Sequence, residues 1–286
     1  MTTESDSYLF DLIPTQYANG PSGPFAYRRG GPRGQVPLVL CNRFRGTIDH
    51  WDPAFLDVLA TERDVIVFDA PGVGSSGGEA PATVQEMAQD TLEFVSLLGL
   101  RQVDLLGWSM GGFVAQAATL TQPQLVRRLI VAGSKPGPVP AAPQSPPKVG
   151  QVAGKPVNDD EDFLYLFFPD TPQGRAAGQA SLRRLETRHG GGAGGTEVDA
   201  VASKAQTRAL VAWSSGQDSA WERLEELTLP VLVAGGAHDL LMDAYHSFAM
   251  VRRLPDATLV LYSDAGHAFL FQHAEVFGRQ VLDFLR

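Results

Sequence analysis

The chain has 286 residues, 44% of them hydrophobic and 19% charged, enough to bury one sizeable core and ordinary for a globular protein. Lys and Arg number 23 against 32 Asp and Glu, and a formal charge of -9 without a basic run makes the chain a poor candidate for phosphate-backbone binding of nucleic acid. A single cysteine, Cys41, excludes an internal disulfide and fits a reducing compartment.

In chain order, the opening "MTTESDSYLF" is polar and acidic, without the basic and apolar regions of a secretory signal. No apolar stretch approaches the ~20 residues that span a bilayer. The expectation is a soluble, cytoplasmic protein whose partner is a small-molecule substrate, with no nucleic acid and no membrane; a homodimer is left open. Residues near 10–34, rich in Gly and Pro around an alternating "FAYR", predict an antiparallel hairpin at a sheet edge. Then six apolar runs recur: "LVLC" 38–41, "VIVF" 65–68, "VDLL" 103–106, "LIVA" 129–132, "VLVA" 231–234 and "TLVLY" 258–262. Each is continuous rather than alternating, as in strands covered on both faces. Helical segments lie between most of them. Asp52 before Pro53 reads as an N-cap with proline at the first helical position. Thr83 and Glu86 stand at capping-box spacing before a helix that stops at Gly99. Residues 110–120 form a small-residue helix, and 274–285 a final amphipathic one. The fold class is therefore α/β: a mostly parallel twisted sheet with helices on both faces.

One stretch interrupts the alternation. Residues 134–160 carry seven prolines and little periodicity, followed by helical patterns at 162–168, 174–188 and 198–225 and a "GGGAGG" run at 190–195. Residues 134–226 are read as an inserted helical cap, because "FLYLFF" needs something to pack against. Residues 1–133 and 227–286 form the core domain.

The chemistry centres on "LLGWSMGGFVAQ", which places Ser109 between Gly107 and Gly111. An apolar strand precedes the serine and a helix follows, so the turn aims its hydroxyl outward and the free N–H of Met110 faces a developing oxyanion. A serine hydroxyl needs a base, itself oriented by an acid. The strand 231–234 leads into "GGAHDLLM" with Asp239, and 258–262 into "SDAGHAFLFQH" with His267. Both stand beyond the carboxyl ends of predicted strands, where open α/β sheets place their sites. Asp243 and Asp264 remain rival acids and His273 the rival base, although His273 falls where the final helix starts. His238 reads as a loop neighbour of the acid, His246 as a helix-surface residue and His189 as a cap residue. The spacing of "DHWD" 49–52 fits a loop with an N-cap better than a metal site. No metal and no cofactor are expected.

With "GWSMGG", "FDAPGVGSS" 68–76, "GAHD" 236–239 and "DAGH" 264–267, the sequence resembles the α/β-hydrolase superfamily, in its serine esterase and lipase-like branch. The resemblance covers nearly the whole chain outside the cap. It implies Ser109 as nucleophile, His267 as general base and then acid, Asp239 as the orienting acid, and an acyl-enzyme cleaved by water. The family usually carries His-Gly after the third strand; this chain has Asn42-Arg43, so the second oxyanion donor would be the N–H of Phe44. A β-carbon at Arg43 disfavours a left-handed backbone there, and Asn42 can supply the loop-holding bonds of a histidine. Arg43 and Trp108 are the candidate substrate contacts. Arg43 and Arg45 together suggest a clamp for an acidic substrate; a solvated loop with Arg43 paired to a structural carboxylate is the plainer and preferred reading. The implied function is hydrolysis of an ester or related acyl bond in a small to medium, mainly hydrophobic molecule. The same triad serves lactone opening, carbon–carbon cleavage and cofactor-free perhydrolysis, and a non-catalytic ligand-binding role is the alternative outside enzymes.

Overall fold

The structure, a computed structural model, describes residues 8–188 and 198–286; His189 and the glycine run at 190–195 lie outside them. The elements follow in order: β1 (Gln16–Gly20), β2 (Gly23–Gly30), β3 (Leu38–Cys41), α1 (Pro53–Ala60), β4 (Val65–Phe68), α2 (Val84–Leu97), β5 (Val103–Trp108), α3 (Met110–Thr121) and β6 (Val126–Ala132). After these come α4 (Pro147–Ala153), α5 (Asp160–Phe167), α6 (Pro172–Arg188), α7 (Ala200–Ser214), β7 (Val231–Gly236), α8 (Ala244–Val251), β8 (Ala257–Tyr262), α9 (Phe269–Gln272) and α10 (Ala274–Phe284).

The eight strands form one sheet in the order β1-β2-β4-β3-β5-β6-β7-β8. β1 and β2 are an antiparallel hairpin at one edge, and from β4 to β8 neighbouring strands run parallel. Every residue of β3, β4, β5 and β7 is buried, which is why those runs are continuous in apolar character. β8 departs from the expectation of a strand covered on both faces. It is the opposite edge strand and its residues are only partly buried or exposed. Helix starts follow their capping chemistry. Asp52 accepts from the N–H of Ala54 at 3.0 Å, and Thr83 from that of Glu86 at 3.2 Å.

Two apolar cores lie on opposite faces of the sheet. One gathers Trp51, Phe55, Trp108, Phe271 and Phe277; the other Phe68, Phe94, Phe113 and Trp213. At the amino ends of the strands, buried Asp64 and Asp104 are each gripped by an arginine fork, Arg29 and Arg127.

Among the described residues, the segment between β6 and β7 carries the four α-helices α4 to α7. Its proline-rich start is not featureless: Pro147–Ala153 is helical, with proline in the first turn where its missing N–H costs nothing. The pattern at 198–225 is not one helix either. It ends at Ser214, turns through Gly216 at φ 100°, and resumes as a 3-10 turn over Trp221–Glu226. The insertion packs its helices into the two sheet cores: Leu164, Phe167 and Phe168 join the Trp108 cluster, while Ala209 and Trp213 join that of Phe113. It is also held by a buried polar anchor. Asp52, fully buried, accepts from Ser181 Oγ at 2.7 Å and from Arg184 Nε and Nη2 at 2.8 and 2.6 Å.

Candidate active site

Ser109 occupies the turn between β5 and α3 at φ 58° and ψ -122°. A non-glycine residue there stores on the order of 1–3 kcal/mol of strain, so the surroundings must impose the conformation. They do so through backbone: the N–H of Ser109 donates to Ala132 O, and its carbonyl accepts from Gly112 N–H and from Ser134 Oγ at 2.7 Å. The glycines are required by close approach. A β-carbon on Gly107 would strike the carbonyl of Gly111, and one on Gly111 would strike the carbonyls of Cys41 and Asn42. The start of α3, with Met110 N–H, is therefore pressed against the loop after β3 that carries Phe44.

The two remaining groups come from adjacent strands. Gly236, at the end of β7, lies so close to the carbonyls of Ala265 and Gly266 that a side chain would collide with both. That contact brings the β7 and β8 loops together. His267 Nδ1 stands 2.7 Å from Asp239 Oδ2, and the other carboxylate oxygen accepts from the N–H groups of Leu241 and Met242, each at 2.8 Å. An ionised carboxylate only accepts, so the imidazole proton sits on Nδ1 and leaves Nε2 as a free lone pair. His267 Nε2 is buried and has no hydrogen-bond partner among the described residues. The ring is held between Trp108 and Phe167, at 5.8 and 5.6 Å between centroids. Trp108 Nε1 donates to the carbonyl of His267, and Ala268 N–H to that of Phe167.

Ser109 and His267 line one cavity of about 210 Å³, together with Arg43, Phe44 and insertion residues that include Phe163, Phe167, Leu182 and Leu185. Several sequence expectations separate here. The rival acids are engaged elsewhere: Asp243 caps α8 by accepting from Tyr245 N–H, and Asp264 pairs with His273 Nε2 at 2.9 Å. His273 also stacks on Tyr262 at 4.6 Å. His238 is exposed. Asp49, His50 and Asp52 take three different partners, Arg28, Thr47 and Arg184, and do not converge. Trp108, expected as a substrate contact, is fully buried, does not line the cavity, and packs behind His267 against Trp51 and Phe271. Asn42 does hold its loop, by donating from Nδ2 to Thr47 O and accepting from Arg43 N–H. The left-handed residue of that loop is Arg45, at φ 53°, and not Arg43. Arg43 is half-buried at the cavity, and the carboxylate partner of its preferred reading is absent: no carboxylate pairs with it among the described residues. Phe167 and Ser134 were missed; the first had a signal in the apolar "FLYLFF", the second had none.

His246 is likewise not on the surface. It is buried on the inner side of α8 with Nδ1 unpartnered, and burial, with Lys135 nearby, pushes its imidazole down to about 4 against the pull of Asp243 and Asp239. Between about pH 6.5 and 4 the unfolded chain binds a proton that the folded one refuses, so this group makes stability fall as pH drops through that window. The gap corresponds to about 3 kcal/mol. Buried Asp69, pushed up to about 6, works in the opposite direction. The variant His246→Leu isolates the histidine, because Asp69 is common to both proteins. Denaturant unfolding at pH 7 and 4.5 will show its stability relative to wild type rising on acidification by about 2–3 kcal/mol. A difference independent of pH would refute that assignment.

Residues 36–274 match the family described as alpha/beta hydrolase fold. A solved alpha/beta hydrolase fold protein from Chitinophaga pinensis is 35% identical, with a TM-score of 0.88 over 96% of this chain and 98% of its own. Poly(3-hydroxyalkanoate) depolymerase of Ectopseudomonas oleovorans is 28% identical over 91% of this chain and 88% of its own length. Polyketide synthase ThaQ of Burkholderia thailandensis is 30% identical over 90% of this chain, which spans only 12% of that protein. Among the described residues no helix is long and apolar enough to cross a membrane. Sheet order, sequence match and structural likeness agree: this chain belongs to the alpha/beta hydrolase fold family.

Proposed function

We propose that the chain is a cytoplasmic serine hydrolase that cleaves an ester or related acyl bond in a small to medium, mainly hydrophobic molecule. The observation that carries this reading is the imidazole of His267. One nitrogen is locked on Asp239 and the other is buried without a partner in the cavity that Ser109 also lines. In the proposed reaction His267 Nε2 takes the Ser109 hydroxyl proton as Oγ attacks the carbonyl carbon. The N–H groups of Phe44 and Met110 hold the oxyanion of the tetrahedral adduct. The adduct collapses as His267 returns the proton to the departing alkoxide, leaving an acyl-enzyme. Water then attacks that ester while its proton passes to His267; the acid leaves, and the proton returns to Ser109.

The segment 134–226 acts as the cap, since Phe163, Phe167, Leu182 and Leu185 supply the apolar wall that excludes water. Relatedness to a depolymerase supports a bond-cleaving role. Labelling with a fluorophosphonate probe, mapped by peptide mass spectrometry, tests the reading. Stoichiometric modification at Ser109, lost in His267→Ala, is the expected result. Failure of folded wild type to label, or labelling that survives in the variant, would overturn it.

A further inference from the structure

The loop after β3 carries two arginines with different tasks. Arg45 is spent on structure: its N–H donates to Gln206 Oε1, and its guanidinium donates to the carbonyls of Lys155 and Pro156. It ties this loop to the insertion at two points and has little left to offer a ligand.

Arg43 differs at every step. Its side chain is half-buried and lines the cavity that Ser109 and His267 line, as well as a smaller one beside it. Among the described residues it has one hydrogen-bond acceptor, the carbonyl of Phe44, at 2.8 Å from Nη1. Its Nε is buried with no partner. The guanidinium carbon sits 5.2 Å from the Phe167 ring and 5.8 Å from that of Trp108, the two rings that flank His267. Aromatic faces attract a cation but do not neutralise it. A planar fork of five donors with one acceptor, in the cavity that Ser109 also lines, matches the geometry by which a carboxylate is bound.

We infer that Arg43 binds a carboxylate of the substrate, so that the molecule cleaved here is a short ester bearing an acidic group. The inference rests on Ser109 being the nucleophile. Its geometry adds a length limit: the arginine borders the rings that hold His267, so the acid and the scissile carbonyl are a few bonds apart. Burial, reinforced by the neighbouring charge of Arg45, pushes the Arg43 guanidinium down to about 10, which leaves it protonated at neutral pH. Three acids also line the cavity, Asp159, Asp160 and Glu186. Asp159 and Asp160 are exposed and Glu186 partly so, in reach of solvent ions that screen charge beyond about 8 Å. Asp159 is further occupied as the cap of α5, accepting from Asp162 N–H. Arg43, beside the rings that flank His267, is thus the cation placed to meet a substrate acid next to the proposed nucleophile.

Two para-nitrophenyl esters of equal acyl length test this: the monoester of glutarate, which carries a free acid, and the neutral pentanoate. Wild type is expected to favour the glutarate monoester in kcat/KM by at least about tenfold. Arg43→Gln brings that ratio to about one or below, while Arg45→Gln retains it. Calorimetric binding of phenylbutanoate against phenylbutanamide to wild type needs neither a variant nor turnover, and the acid is expected to bind at least about tenfold tighter. Equal binding of acid and amide would overturn the inference, as would an equal fall of both esters in Arg43→Gln, which marks a structural or transition-state role. Labelling at Ser109 together with no preference for the acid would sink this inference alone. Absent labelling with the acid still bound preferentially would sink the serine mechanism and leave Arg43 as an anion receptor.

Discussion

Ser109→Ala is expected to lower kcat on any accepted ester by at least about 10⁴-fold, with a thermal midpoint near that of wild type. The fold should survive because the turn is held through the backbone of residue 109, by Ala132, Gly112 and Ser134, and not through its hydroxyl. His267→Ala should fall comparably, and the double variant should be no worse than either single one, because nucleophile and base act as a unit. Asp239→Asn should retain more activity, since its task is to orient His267. Asp264→Asn and Asp243→Asn should be active: one removes a surface pair with His273, the other weakens a helix cap. A fully active Asp239→Asn beside an inactive Asp264→Asn would show that the acid is assigned wrongly.

Gly111→Ala is expected to be nearly as damaging to turnover although it adds one methyl group. The added carbon would lie 2.6 Å from the carbonyl oxygen of Asn42 and closer still to that of Cys41, both backbone atoms that cannot rotate away. Either α3 or the loop after β3 must move, which would displace the N–H groups of Met110 and Phe44, the proposed oxyanion donors. A misplacement on the order of 1 Å costs roughly 100-fold in rate, and overpacking costs about 1–3 kcal/mol of stability. Gly150→Ala is the control: it too is helical, its β-carbon meets nothing within 4 Å, and activity should be unchanged. Steady-state kinetics and thermal unfolding of both variants decide the matter. Wild-type turnover in Gly111→Ala would mean that the tight approach has no catalytic purpose.

What the sequence made legible follows from local physics. Strands buried on both faces write themselves as unbroken apolar runs, and a serine, an acid and a base placed after three of them could be found by strand ends alone. Edge position is not written locally, so β8 looked like its buried neighbours. Trp108 closes a strand whose every residue is buried, and nothing in "VDLLGW" says which way the indole points. His246 misled for a similar reason: α8 is short and of mixed character, and only its docking shows that the histidine faces inward. The division of labour between Arg43 and Arg45 depends on Lys155, Pro156 and Gln206, more than one hundred positions away. Long-range partners of that kind leave no trace in the spacing of the loop itself.

The fastening of the β6–β7 insertion has a consequence for traffic. Swinging α6 outward would strand the Asp52 carboxylate in the core without Ser181 and Arg184. Swinging α5 outward would break the link from Phe167 to Ala268, the residue next to His267. An open door would thus be a disarmed one. On the proposed function, a substrate would then have to reach Ser109 with both helices still in place.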